Sequence, residues 1–183
     1  MKICVFDNMN QCTEQEVNRM LPLVSAQRRE QALRYKHTLG QFCCLKSWLM
    51  LEAMLDEGTK GLMDEWKYNE HGKPYLENGP SFSISHCKQG IAVAIDEQPI
   101  GIDIEGIRRA DQDLIERTMN EEERDGMDDR KFTRLWTQKE AIVKAQGVGI
   151  LSFEQLQGIR SQESGFRMQT IEKDNYIYSI AYK

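Results

Sequence analysis

Ile100-Gly101-Ile102-Asp103-Ile104-Glu105, near the middle of the chain, is the stretch that decides the fold. Isoleucine returns at every second position, the period of a β-strand whose successive side chains point to opposite faces. Ile100, Ile102 and Ile104 then face a core, while Asp103 and Glu105 share the other face. Two residues of strand rise separate the bases of those carboxylates by about 6.6 Å. Side chains at that spacing can converge on one hard cation, which prefers oxygen ligands. Alternation alone fits equally well a half-buried strand with a solvated acidic edge.

Downstream, Leu135-Trp136-Thr137-Gln138-Lys139-Glu140-Ala141-Ile142-Val143-Lys144 reads as part of a helix over 130–146. There Trp136, Glu140 and Lys144 stand at i, i+4 and i+8, one above another. The plain reading is a surface Glu–Lys pair worth about 0.3–0.5 kcal/mol. Trp136 on the same face argues for buried surface nearby. A carboxylate beside a lysine in such a place suits a metal that holds phosphates, with the lysine on the remaining anionic oxygens.

Upstream, Gly72-Lys73-Pro74 leads to Phe82-Ser83-Ile84-Ser85-His86. Pro74 stiffens the chain after Lys73, and Ser85-His86 ends a strand, where polar tips commonly line a site. Lys73, Ser85 and His86 suit phosphate oxygens, although a strand-end Ser-His also serves as a structural hydrogen-bonding pair.

Around these segments the elements fall into place. Lys2 to Phe6 reads as a strand. Thr13 with Glu16 has capping-box spacing for a helix that Pro22 interrupts, Ser25 caps a second helix to about Lys36, and Thr38 with Gln41 opens a third to about Leu55. Gly58 to Gly61 reads as loop. Strands are expected at Trp66 to Tyr68, Pro74 to Leu76, Ser81 to Ser85, Ile91 to Ile95 and Ile100 to Glu105, separated by turn signals such as Asn78-Gly79-Pro80. Helices are expected at Asp111 to Met119, Asn120 to Met127 and Arg130 to Gln146, then strands at Arg167 to Glu172 and Asn175 to Tyr182. The pattern is that of an α+β protein.

The chain has 183 residues, 40% hydrophobic and 29% charged, which accommodates one domain or two small fused halves. Its net charge of −5 argues against general nucleic-acid binding. Apolar runs such as Ile91 to Ile95 are too short to span a bilayer, and Asp7 interrupts the first apolar run before a signal-peptide core forms. A cytoplasmic protein is expected, without membrane association. The five cysteines (Cys4, Cys12, Cys43, Cys44, Cys87) form no CxxC pair and no metal-ligand spacing, so reduced, mostly buried thiols are expected. Residues 25–46 carry Arg28, Arg29, Arg34, Lys36 and Lys46 against Glu30 alone, a natural place for an anionic ligand or acidic partner. Residues 113–129 carry eight acids against Arg117 and Arg124, most simply a solvated face.

In order, the Gly-Lys-Pro and Phe-x-x-Ser-His elements, the Gly-Ile-Asp-Ile-Glu strand and the Trp-Thr-x-Lys-Glu-Ala-x-x-Lys helix resemble the 4′-phosphopantetheinyl transferase superfamily, over residues 71–150. The length and N-terminal extension resemble its larger, surfactin-type monomeric class. The resemblance implies a pseudo-twofold pair of similar α+β halves, 1–99 and 100–183, with coenzyme A between them and the metal site in the second. It implies Asp103, Glu105 and Glu140 as magnesium ligands, and Lys144 on the pyrophosphate with Glu140 as general base. Lys73, Pro74, Ser85 and His86 would hold the nucleotide. The substrates would be coenzyme A and an apo acyl or peptidyl carrier protein. Where related chains place a basic or polar residue, this one has Gln41-Phe42-Cys43-Cys44, which leaves Arg28 or Lys46 for the 3′-phosphate. Glu123 falls near another recurrent family acid, with a solvated face expected for it. A degenerate homologue that only binds coenzyme A or carrier protein, and an unrelated magnesium phosphotransferase or nuclease, are the competing readings.

Overall fold

The structure, a computed structural model, describes residues 1–56, 63, 66–149, 153–160 and 164–183. The loop expected at Gly58 to Gly61 lies outside the described residues. Two three-stranded antiparallel sheets organise the chain. The first has β1 (Lys2–Phe6), β4 (Ser81–Cys87) and β5 (Gly90–Asp96), ordered β1-β5-β4. The second has β6 (Ile100–Gly106), β7 (Arg167–Glu172) and β8 (Tyr176–Tyr182), ordered β6-β8-β7. Each half therefore runs strand, helices, strand, strand, with its last strand in the middle of the sheet. That topological repeat has no counterpart in the residues themselves. A two-stranded hairpin, β2 (Lys67–Tyr68) with β3 (Pro74–Tyr75), lies outside both sheets.

Five of the helices begin where a side chain takes up a free N–H. Thr13 accepts from Glu16 N to start α1 (Glu14–Met20), and Ser25 accepts from Arg28 N to start α2 (Ala26–Leu33). Asp111 caps α4 (Gln112–Thr118), and Asn120 with Glu123 closes a capping box on α5 (Glu121–Arg124). Asp128 caps α6 (Asp129–Gln146), which ends on Gly147 at φ 75°, the left-handed position that glycine takes without strain. The third helix, α3 (Thr38–Met54), departs from expectation. Its cap position is His37, Thr38 is already helical, and the Gln41 side chain donates to Tyr35 O instead. A short helix, α7 (Phe153–Gln157), was not anticipated.

α3 packs on the first sheet through Phe42, Leu45, Trp48 and Leu51. Its counterpart α6 packs on the second, where Ala141, Ile142 and Ala145 meet Ala181. Between the sheets, Ala92 and Ala94 of β5 share a core with Ile100, Ile102 and Ile104 of β6. The two sheets also meet edge to edge through side chains. The hydroxyls of Ser81, Ser83 and Ser85 on β4 accept from Ile100 N (3.3 Å), Ile102 N (3.0 Å) and Ile104 N (3.3 Å) of β6. Three serines at strand period thus supply the acceptors that an adjoining strand's carbonyls would otherwise provide.

Candidate active site

Asp103 and Glu105 do share a face of β6, and that face is covered rather than solvated. Gly101, two residues before Asp103, lies so close to α6 that a Cβ there would overlap Ala141 O and Ala145 N. The missing side chain lets the helix seat on the strand and brings its polar face over Asp103. Asp103 is 3% exposed. Its Oδ1 accepts from Lys144 Nζ at 2.6 Å and from Ser85 Oγ at 2.8 Å, and Lys144 Nζ lies 3.0 Å from Ser85 Oγ. Its Oδ2 is buried and has no hydrogen-bond partner. An orphaned carboxylate oxygen inside a protein costs free energy until a cation or donor reaches it.

Two more carboxyl groups share this field. Burial raises the Glu140 carboxyl to about 7, and the charges of Asp103 and Glu105 push the same way while Lys144 and Arg108 oppose. Burial and the Asp103 charge likewise raise Glu105. Glu105 and Glu140, both raised by burial and by the Asp103 charge, are short of positive charge in spite of Lys144 and Arg108. Among the described residues no three His, Cys, Asp or Glu side chains are gathered closely enough to hold a metal ion by themselves. What the acids do offer is oxygen alone, with Asp103 Oδ2 left without a partner. That fits magnesium, which takes one or two carboxylates plus phosphate and water rather than an all-protein cage.

Glu140 and Lys144 line a cleft of about 340 Å³ with Lys73, Pro74, Phe82 and Ile84. A second cleft, about 200 Å³, adjoins it across Pro74 and Ile84 and reaches Arg28, Trp48, Tyr68 and His86. Lys73, Pro74, Glu140 and Lys144 thus line the first cleft and Arg28, Pro74 and His86 the second, while Ser85 and Asp103 line neither and join the site through their bonds to Lys144 Nζ. Lys73 is held rather than free: its Nζ donates to Lys144 O (2.6 Å) and Ile100 O (3.3 Å). Asn69 fixes the turn beneath it, accepting from Lys73 N and donating to Gly147 O at 2.7 Å. Burial lowers the Lys73 ammonium to about 8. The His86 ring keeps solvent access, while desolvation first and then the Lys144 and Arg28 charges hold its pKa below the usual value.

Arg28 borders the second cleft but turns inward. It is 7% exposed, donates to Cys44 O (2.7 and 3.1 Å) and Gln31 Oε1 (2.7 Å), and lies 4.3 Å over the Trp48 ring. Much of its donor capacity is spent on the fold. The rest of the basic run is dispersed: Arg29 donates to Leu21 O, Arg34 pairs with Glu30, and Lys46 lies over Phe6. No cationic platform forms from it.

Glu123, expected on a solvated face, instead pairs with Lys139 of α6. Lys139, beside Glu140, is 1% exposed and points away from the cleft. Its ammonium donates to Glu123 Oε2 (2.6 Å), Leu156 O (2.8 Å) and Thr118 O (3.0 Å). It ties α6 to the end of α4, to α5 and to α7. Glu123 is accordingly no solvated acid: its side chain is 16% exposed, and the carboxylate that pairs with Lys139 also closes the α5 capping box. The signal available was a lysine on the apolar side of a helix, with an acid one family spacing upstream.

Comparison with known proteins agrees with this architecture. Residues 99–181 match the family model of the 4′-phosphopantetheinyl transferase superfamily. A 4′-phosphopantetheinyl transferase of Bacillus subtilis is 30% identical over 146 residues, 74% of this chain and 65% of the relative. The transferase Sfp of the same species is 26% identical over 150 residues, 75% of this chain and 66% of the relative. The transferase AcpT of Salmonella typhimurium is 37% identical over 113 residues, 55% of this chain and 58% of the relative. The chain thus spans somewhat less than two thirds of the length of these curated relatives. The alignments reach beyond the segment carrying the family model, and within that segment lie Asp103, Glu105, Glu140 and Lys144 in the arrangement described above. The chain is thus similar to the 4′-phosphopantetheinyl transferase superfamily over residues 99–181, and to individual transferases of that name over up to three quarters of its length.

Proposed function

We propose that the protein transfers the 4′-phosphopantetheine moiety of coenzyme A to a serine of an apo acyl or peptidyl carrier protein, with magnesium, releasing adenosine 3′,5′-bisphosphate. The observation that carries this reading is the buried, unpartnered Oδ2 of Asp103, whose other oxygen is held by Lys144 and whose charge raises Glu105 and Glu140. Asp103, Glu105 and Glu140 would hold the magnesium ion. When bound, the ion supplies positive charge at the pyrophosphate. Lys144 stands beside Asp103 and places an ammonium where the leaving phosphate gathers charge. Lys73, Pro74 and His86 line the two clefts for the nucleotide, and Ser85 holds Asp103 and Lys144 in register. The serine oxygen attacks the phosphorus that bears pantetheine, and its proton passes to Glu140. The new O–P bond forms as the bridging P–O bond to the nucleotide breaks. Such a reaction asks for positioning and charge neutralisation more than for covalent help from the protein. One domain boundary near residue 99, a monomeric state and a cytoplasmic setting complete the proposal; no helix among the described residues is long and apolar enough to cross a membrane.

Incubation with coenzyme A, magnesium and a panel of apo carrier proteins tests it by mass spectrometry. A carrier heavier by one phosphopantetheine is expected, and Asp103→Ala and Glu140→Gln should each abolish the adduct while remaining folded. Full activity in either variant would overturn the carboxylate assignment. Coenzyme A binding with no adduct on any carrier would favour a homologue that binds without turnover.

A further inference from the structure

Two cations flank the carboxyl groups, and only Lys144 has a task so far. The other is Arg108, three residues beyond Glu105. Its guanidinium lies 5.4 Å from the centroid of the Trp136 ring, one helical turn before Glu140. The side chain is exposed, and among the described residues it has no recorded hydrogen bond or ion pair. Stacking on a tryptophan holds a guanidinium in place without consuming its donors. Arg108 is therefore a pre-positioned cation with its fork of N–H groups unspent.

Its position separates two approaches to the same acids. The cleft is lined by Lys73, Glu140 and Lys144, and Arg108 is not part of that lining. A nucleotide filling the cleft meets the Lys144 end. A folded protein bringing a serine to those acids must then come from the other side, across Trp136 and Arg108. The exposed Arg108 and Arg109 precede α4, where Arg117 lies 3.9 Å from Asp113 while Asp111 and Glu116 add negative charge, so an acidic partner is drawn to 108–109 rather than to α4.

We propose that Arg108 docks the acceptor protein by pairing with a carboxylate that lies close to the acceptor serine. The inference rests on the transferase reading for the identity of the acceptor. A planar, exposed guanidinium is best matched by a carboxylate bound through two parallel hydrogen bonds.

The test compares wild type with Arg108→Gln and Arg108→Lys, in steady-state transfer and in direct titration of binding to an apo carrier protein that transfer identifies as a substrate, or to the panel where none does. In Arg108→Gln the acceptor kcat/KM should fall, and its Kd rise, by about tenfold, the scale of one charge-assisted pair at a rim. KM for coenzyme A should stay within about twofold, and the salt dependence of acceptor binding should flatten. Arg108→Lys should recover part of the loss, and thermal melting checks that both variants fold. A rise in KM for coenzyme A with acceptor binding unchanged would move Arg108 to the phosphates and overturn the proposal, as would unchanged values throughout. If wild type binds the acceptor through Arg108 yet transfers nothing, the docking role stands and the transferase reading falls. Transfer that is indifferent to Arg108 does the reverse.

Discussion

Replacing Lys139 by methionine tests whether the motif lysine next to Glu140 is a structural clamp or part of the chemistry. Methionine keeps the length of the aliphatic stem and removes the ammonium. Two buried carbonyls, Thr118 O and Leu156 O, then lose their donor, and Glu123 loses its counter-charge. Each unsatisfied buried acceptor costs about 1–3 kcal/mol. Glu123 keeps some solvent access, at 16% exposure, and its bond from Asn120 N, so its share is at the lower end. The costs are not additive because the helices can relax, and about 3–4 kcal/mol is expected, in line with other buried pairs broken from one side. For a chain of this length that is a drop in Tm of roughly 10 °C. Urea unfolding is the assay: the midpoint should fall with the slope unchanged. Adding Glu123→Gln, which keeps the capping bond and removes the stranded charge, should restore about 1 kcal/mol or more of the loss. A loss below about 1 kcal/mol would refute the clamp, since two buried carbonyls cannot go unpaired so cheaply. So would a fully stable Lys139→Met that transfers nothing, which would place the ammonium in the reaction.

Gly101→Ala should cost about 3 kcal/mol, the top of the usual overpacking range, because the new methyl would meet backbone atoms of α6 that cannot rotate away; thermal melting reads it, and a native Tm would mean the strand and helix sit further apart than described. The Lys73 ammonium, lowered to about 8 by burial, loses its proton as pH rises from 7 to 9, so KM for coenzyme A should rise over that window. Lys73→Arg should remove that limb, and a KM that is flat with pH in wild type would exclude the ammonium from nucleotide binding. The same shift has a stability consequence of definite sign: between about 8 and the ordinary 10.5 the unfolded chain binds the extra proton, so this group's contribution to stability grows with pH there.

What could be read from the residues alone was whatever repeats at the period of its own element. The alternation of Ile100, Ile102 and Ile104 placed Asp103 and Glu105 on one face, and the spacing of Trp136, Glu140 and Lys144 placed two site residues on one helix. Caps at Thr13 and Ser25 were legible because side chain and target lie three residues apart. The site residues singled out at Lys73 and Ser85 both meet Lys144, Lys73 at its carbonyl and Ser85 at its ammonium. What the residues alone could not show were partners that are backbone atoms. Lys139 looks like any helix lysine until Thr118 O and Leu156 O are seen around it, and carbonyls have no letter in a sequence. Arg28 looked like a free phosphate ligand for the same reason, since Cys44 O is what turns it inward. Thr38 matched a capping pattern, but the helix had already begun at that residue.

The serines of β4 show how that blind spot bears on the site itself. Ser83 and Ser85 read as polar points on a strand, one of them a phosphate contact. In the fold, Ser81, Ser83 and Ser85 form the seam between two sheets, each capping an N–H of β6. Ser85 is the last rung and also the first contact of the site, because its hydroxyl reaches Asp103 and Lys144 as well as Ile104 N. A hydroxyl can donate one proton and accept at two lone pairs. With Ile104 N and Lys144 donating to it, its own proton goes to Asp103 Oδ1. That assignment leaves Asp103 Oδ1 fully engaged by Ser85 and Lys144, and leaves Oδ2 as the oxygen with no partner. The seam that joins the halves thereby determines which carboxylate oxygen is open to a cation, so the register of β4 against β6 is a property of the site as much as of the fold.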